Sequence, residues 1–268
     1  MTFPFRSILK LAGDLLRRSW LSLMLVTLIS LLPVWMHQYG QEFVMHAAWR
    51  DLFFSPSGFG PIAWALIGFS WFSRGFHMSA VTEIALRTAA SKPVKLRQLL
   101  IKATVNTLPV LGFQLLLELI TFVGGIFLVV PGAFLGAAFS ILVPVYVCEG
   151  KSIPEAFRRS FNLTRYRRFP IACVWFAIFL IYSLATGSFV SDVSMMEAAI
   201  HRLFPALQLP PMPEPFLPAF SSPAGRLFYT LVNQGLHVAL MVLNVSIYLG
   251  LRFQKNEPAD NHIAALFE

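Results

Sequence analysis

The sequence predicts an all-helical membrane protein: six transmembrane helices, with amphipathic interfacial helices along the cytoplasmic rim. Three observations carry that expectation. The chain is 56% hydrophobic and only 13% charged, about half the charged share of a soluble domain, and its mean hydropathy is +0.66. It contains six apolar runs close to the ~20 residues needed to cross ~30 Å of hydrocarbon. Its cations are distributed unevenly among the connections between those runs.

The runs are Trp20 to Met36, Pro61 to Ile84, Ala103 to Val123, Ile126 to Val147, Pro170 to Val190 and Leu227 to Leu251. The first is expected to stay in the chain, because no small-x-small cleavage site follows it. Between the third and fourth runs almost no loop is available, and Pro131-Gly132 suits the centre of a type II turn. Proline also pushes the residue before it out of helical geometry. Placing the turn there gives spans of about 20–36, 61–84, 103–129, 132–147, 170–190 and 227–251, one membrane domain over 1–255 and a cytoplasmic tail over 256–268. Gly132, Gly136 and Ser140 then form a small-residue stripe along which backbones could approach.

A net charge of +8 raises the question of nucleic acid. The placement of the cations answers it. Arg6, Lys10, Arg17 and Arg18 precede the first span, and Arg87, Lys92, Lys95, Arg97 and Lys102 separate the second from the third. Lys151, Arg158, Arg159, Arg165, Arg167 and Arg168 separate the fourth from the fifth, and Arg252 and Lys255 follow the sixth. The alternate connections are nearly free of cations. That is the positive-inside pattern for six spans with both termini in the cytoplasm, so membrane lipids are the expected partners and nucleic acid is not. Cys148 and Cys173 both fall toward the cytoplasmic side, where a disulfide is not expected.

The segment before each outward span is amphipathic. In Phe5 to Arg18, Ile8, Leu11, Ala12, Leu15 and Leu16 share a face. In Val94 to Ala103, Leu96, Leu99, Leu100 and Ala103 group together. The third segment has the clearest signals: Ser152-Ile-Pro-Glu155 is a capping box with proline in the first turn, and Gly150 suits the end of the preceding helix. From Ser152 onward Ile153, Ala156, Phe157, Ser160, Phe161 and Thr164 form one face; Arg158, Asn162 and Arg165 point away, with Arg159 at the border. Such a helix is expected to lie in the interface plane. Arg158, Arg159, Arg165, Arg167 and Arg168 fix topology and are candidate ligands for anionic headgroups, each cation near the surface adding about 1 kcal/mol of attraction.

The two outer connections are less regular. Tyr39 to Gly60 is mixed polar and aromatic, and Asp192 to Phe220 opens with a capping-box pattern at Ser194 to Glu197 before a proline-dense stretch.

No enzyme signature is present. "EGKS" lacks the upstream glycine of a phosphate loop, there is no H-E-x-x-H, C-x-x-C or G-x-S-x-G, and the histidines show no metal-ligand spacing. Neither catalysis, a metal nor another cofactor is expected. The remaining functional hint is a set of polar residues inside the spans: Arg74, Glu118, Asn233 and His237. At ~1.5 Å per residue, Arg74 lies about 21 Å and Glu118 about 9 Å in from the outer surface, which makes a direct ion pair marginal. The four read either as interhelical hydrogen-bonding glue or as a seam along which a transporter passes a small molecule or lipid.

"VVPGAFLGAAFSILVPVYVCEGKSIPEAFRRSFNLTRYRRF", Val129 to Phe169, resembles the YciC-like bacterial inner-membrane proteins and the related membrane domain fused to some glycerophosphoryl diester phosphodiesterases. The matching positions are Pro131, Gly132, Pro144, Glu149, Ala156, Ser160, Leu163 and Thr164. The resemblance implies a six-span inner-membrane architecture and a structural or lipid-associated place in the envelope. It implies no reaction, since these residues hold no phosphodiesterase domain. Where the fused relatives often carry glycine before the segment equivalent to "KPVKLRQLL", this chain has Ser91-Lys92.

Overall fold

The computed structural model describes residues 5–44, 54–55, 58–59, 61–127, 129–186 and 223–255. These are almost wholly helical: α1 (Phe5–Val44), α2 (Pro61–Ala89), α3 (Leu96–Phe127), α4 (Val129–Phe139), α5 (Leu142–Glu149), α6 (Ile153–Thr164), α7 (Arg168–Thr186) and α8 (Pro223–Gln254). A two-residue antiparallel pairing, β1 (Phe54–Ser55) with β2 (Gly58–Phe59), is the exception. The Ser194 to Glu197 capping pattern and the proline-rich stretch after it lie outside the described residues.

Among the described residues three segments are long and apolar enough to cross a membrane: Phe5–Leu32, Leu96–Ile120 and Thr230–Gln254. Their outer surfaces are apolar. Leu21, Met24, Leu28 and Leu32 of α1, and Val105, Leu108, Leu115 and Leu119 of α3, are all exposed. A soluble protein does not display contiguous apolar surface on this scale, whereas hydrocarbon solvates it.

α2 is the centre of the bundle, packed on α1, α3 and α8. Its lower half is fully enclosed, with Ala80, Val81, Ile84 and Ala85 buried. Close approach to α3 occurs at Gly75, where a Cβ would stand 2.8 Å from the Thr107 carbonyl oxygen and 3.1 Å from Leu111 Cβ. The small-residue stripe expected from the sequence does not serve this purpose at Gly136, where a Cβ would meet nothing within 4 Å. Small residues permit a close approach without requiring one.

Four expectations change. The amphipathic stretches at Phe5 to Arg18 and Val94 to Ala103 are not separate interfacial helices, because α1 and α3 run through them without a break. Their apolar faces continue the faces of the spans that follow: Ile8, Leu11 and Leu15 lead into Leu23 and Val26. No proline or turn interrupts either junction, and a helix with all its backbone bonds made continues by default. Only the third stretch is an independent helix, α6.

The Pro131-Gly132 turn also does not form. Both residues lie inside α4, which begins at Val129, and proline is well tolerated in the first turn of a helix. Finally, the span expected over 132–147 is two helices, α4 and α5, broken at Ser140-Ile141. Pro144 explains the break: it has no N–H to donate to the Ser140 carbonyl four residues earlier.

Ser91 occupies the left-handed region at φ 53°. It closes α2, with Lys92 N–H donating to the Arg87 carbonyl at 2.8 Å and Ser91 N–H to the Thr88 carbonyl at 3.0 Å. Here a side chain occupies a conformation that glycine adopts without penalty.

Candidate functional site: a clasped surface helix and a polar groove

The break between α4 and α5 leaves carbonyls without intrahelical partners, and α6 supplies donors for one of them. Ser160 Oγ donates to the Ala138 carbonyl at 2.7 Å, and Thr164 Oγ1 reaches the same oxygen at 3.3 Å. Ser140 Oγ donates back to the Ala137 carbonyl. Ser160, Thr164 and Ala156 are completely buried. Pro144, Ser160 and Thr164 therefore act together. Pro144 breaks the span, and the hydroxyls of Ser160 and Thr164 satisfy the backbone that the break exposes.

α6 starts as its sequence predicts. Ser152 is the N-cap, its N–H donates to the Glu155 carboxylate at 3.1 Å, and the capping box is complete. Those bonds from Ser152 hold the Glu155 carboxyl below its ordinary pKa. Gly150 ends α5 in the left-handed conformation at φ 60°. The buried face is narrower than the periodicity suggests. Leu163 belongs to it, while Ile153 and Phe161 are exposed at its margins. Phe157 sits edge-on between Phe113 of α3 and Phe139 of α4, with ring centroids 5.5 and 5.3 Å away.

Glu149 ties α6 to α8. Its carboxylate accepts from Arg159 Nε at 3.2 Å and from the Tyr248 hydroxyl at 3.0 Å, and Lys151 Nζ is 3.5 Å away. Arg252 donates to the Tyr248 oxygen at 3.2 Å. Tyr248, fully buried, carries no motif in the sequence; its i, i+4 spacing to Arg252 on α8 is the signal that could have marked it.

The five arginines thus divide. Arg159 is committed to Glu149. The Arg168 guanidinium lies 3.7 Å above the Phe161 ring centroid and donates to the Phe161 carbonyl. Arg158 and Arg165 are exposed, Arg167 is half-buried, and Tyr166 and Phe169 beside them are among the most exposed aromatics described.

The second site joins α2 to α3. Arg74 of α2 and Glu118 of α3 form an ion pair at 3.3 Å, which corrects the marginal expectation. Cα–Cβ bonds lean toward the N-terminus of a helix, and α2 and α3 run in opposite directions. Arg74 and Glu118 therefore lean toward each other, so two long side chains close the roughly 10 Å offset between their turns. Gln114 donates to the Glu118 carboxylate at 2.7 Å, and Arg74 stands 5.9 Å from the Trp71 ring.

His237 of α8 is within electrostatic reach of Arg74 and Glu118, and also of His77. His77, which no sequence motif marks, is buried and hydrogen-bonded to Thr27 of α1 at 3.2 Å. Asn233 lies one turn before His237 on α8 and is half-buried. The structure thus joins Arg74, Glu118 and Gln114 by direct contacts, and His77 to Thr27.

Among the described residues no group of three or more His, Cys, Asp and Glu is placed to hold a metal ion. Cys148 and Cys173 are both free thiols. Compared with family models, curated proteins and solved structures, the chain matches none.

Proposed function

We propose that the chain is a six-span bacterial inner-membrane protein with both termini in the cytoplasm, that it has no catalytic activity, and that it acts as a lipid-associated structural component of the envelope. The alternation of basic and cation-free connections supports the orientation. The pattern Pro144, Glu149, Ser160 and Thr164 supports membership of the YciC-like proteins, because each of these residues takes part in seating α6 against a broken span.

The observation that carries the lipid-associated reading is the division of α6 into a fully buried hydroxyl face and an exposed face holding Arg158 and Arg165. Ile153, Phe161, Tyr166 and Phe169 flank those cations with exposed apolar surface, a combination suited to an anionic headgroup layer. Arg158→Gln combined with Arg165→Gln removes the two outward cations and spares Arg159 and Arg168, which hold the helix. Phosphatidylglycerol retained after detergent extraction is expected to fall in the double variant while membrane insertion is unchanged. Equal retention by variant and parent would defeat this reading.

A further inference from the structure

α3 and α8 both pack on α2, and the short helix α5 packs on all three, filling part of the groove between α3 and α8. Arg74 and Glu118 are not enclosed at this groove: their side chains are 42% and 40% exposed. The register of α2 against α3 fixes how far this opening lies from the charged end of the bundle. Lys102 and Arg87 meet Glu83 there, at 3.2 and 2.7 Å. Arg74 is nine residues further along α2, about 14 Å at 1.5 Å per residue. Glu118 is sixteen residues beyond Lys102 on α3, about 24 Å. Both distances lie within a hydrocarbon core of about 30 Å.

Exposed Leu115 and Leu119 flank Glu118, so the surrounding surface faces acyl chains. An ion pair half-open at that depth lacks the solvation it would have in water, and an occupant offering the complementary charges would supply it. The pair is dipolar, presenting a guanidinium and a carboxylate side by side. Its complement is a zwitterion that places an anion on Arg74 and an ammonium on Glu118.

We propose that this groove is a binding site for a phosphate–ammonium zwitterion, as carried by an aminophospholipid headgroup entering from the bilayer. The phosphate takes the free donors of the Arg74 guanidinium, and the ammonium takes the Glu118 oxygens, which Gln114 holds in place. The site is independent of the cationic face of α6, which selects anionic headgroups and involves none of these residues.

The test uses the full chain in vesicles of equal phosphatidylethanolamine and phosphatidylglycerol, with a photoreactive benzoylphenylalanine replacing Leu115 and lipid adducts read by mass spectrometry. Phosphatidylethanolamine adducts are expected to exceed phosphatidylglycerol adducts by about tenfold, the factor one charge-assisted hydrogen bond supplies. Arg74→Gln and Glu118→Gln are each expected to return the ratio to the vesicle composition. Gln114→Leu, which keeps both charges, is expected to lower it severalfold and serves if either charge variant fails to insert. Suppression of the adduct by soluble O-phosphoethanolamine assigns the same chemistry to a soluble zwitterion; persistence of the adduct assigns it to the lipid. Adducts in the parent at vesicle composition, or an undiminished ratio in Glu118→Gln, overturn the proposal.

Discussion

Glu149 and Glu118 are each paired with an arginine and accept from a neutral side chain, and Glu149 has Lys151 beside it as well, yet they sit in opposite settings. Glu149 is 12% exposed and joins three helices through Arg159 and Tyr248. Glu118 is 40% exposed and meets Arg74 across one helix pair. A carboxylate enclosed with several donors behaves as a lock, because removing it strands every donor it served. A carboxylate that serves one half-exposed pair strands fewer donors when it is removed and keeps an oxygen available to a ligand. The difference separates a region built for holding α6 from a region built to remain open.

Breaking the close helix contact that underlies both regions should have the largest effect. Gly75→Leu forces a side chain against the Thr107 carbonyl and is expected to cost about 3 kcal/mol or to prevent stable insertion, read by thermal unfolding in detergent. Next comes the lock itself. Glu149→Ala leaves Tyr248 and Arg159 without their shared acceptor and is expected to cost about 3 kcal/mol, with faster hydrogen exchange over α6. Ser160→Ala should cost about 1 to 2 kcal/mol, since Thr164 still reaches the Ala138 carbonyl. Glu118→Gln keeps an acceptor for Arg74 and Gln114 and is expected to cost about 1 kcal/mol, the scale of an interhelical polar contact in a membrane. A cost equal to that of Glu149→Ala would erase the contrast between the two acids.

The smallest effects are local. Ser91→Gly relieves a left-handed serine and is expected to stabilise by about 0.5 to 1 kcal/mol, which should raise the unfolding temperature. The capping box adds a pH dependence. The Glu155 carboxyl is depressed below its ordinary 4.5, so its contribution is fully present above 4.5 and is lost as pH falls through the lowered value. Hydrogen exchange at the first turn of α6 should therefore accelerate in that acidic window and not at neutral pH. Acceleration between pH 6 and 8 would show that another group controls the cap.

Features local in the chain are legible in the sequence. Apolar runs, the capping box at Ser152, Gly150 as a helix stop and the separation of cations from cation-free connections all follow from residue type and spacing. The expectation of three interfacial helices overreaches, because amphipathicity looks the same in a surface helix as in the buried first turns of a longer one. Pro144 stands out in the sequence, but its effect depends on which carbonyl it orphans and what lies nearby to satisfy the break.

The sequence by itself determined that this chain is helical and apolar, and where α6 begins. Only the tertiary structure decided that α6 clasps a broken span, that Arg159 serves Glu149 rather than the surface, and that Arg74 meets Glu118. The physical reason is that composition and periodicity describe each helix in its own frame. Register and side-chain lean between neighbouring helices decide which polar groups meet, and those are set by the packing of α2 against α3 at Gly75 and of α6 against α4 and α5.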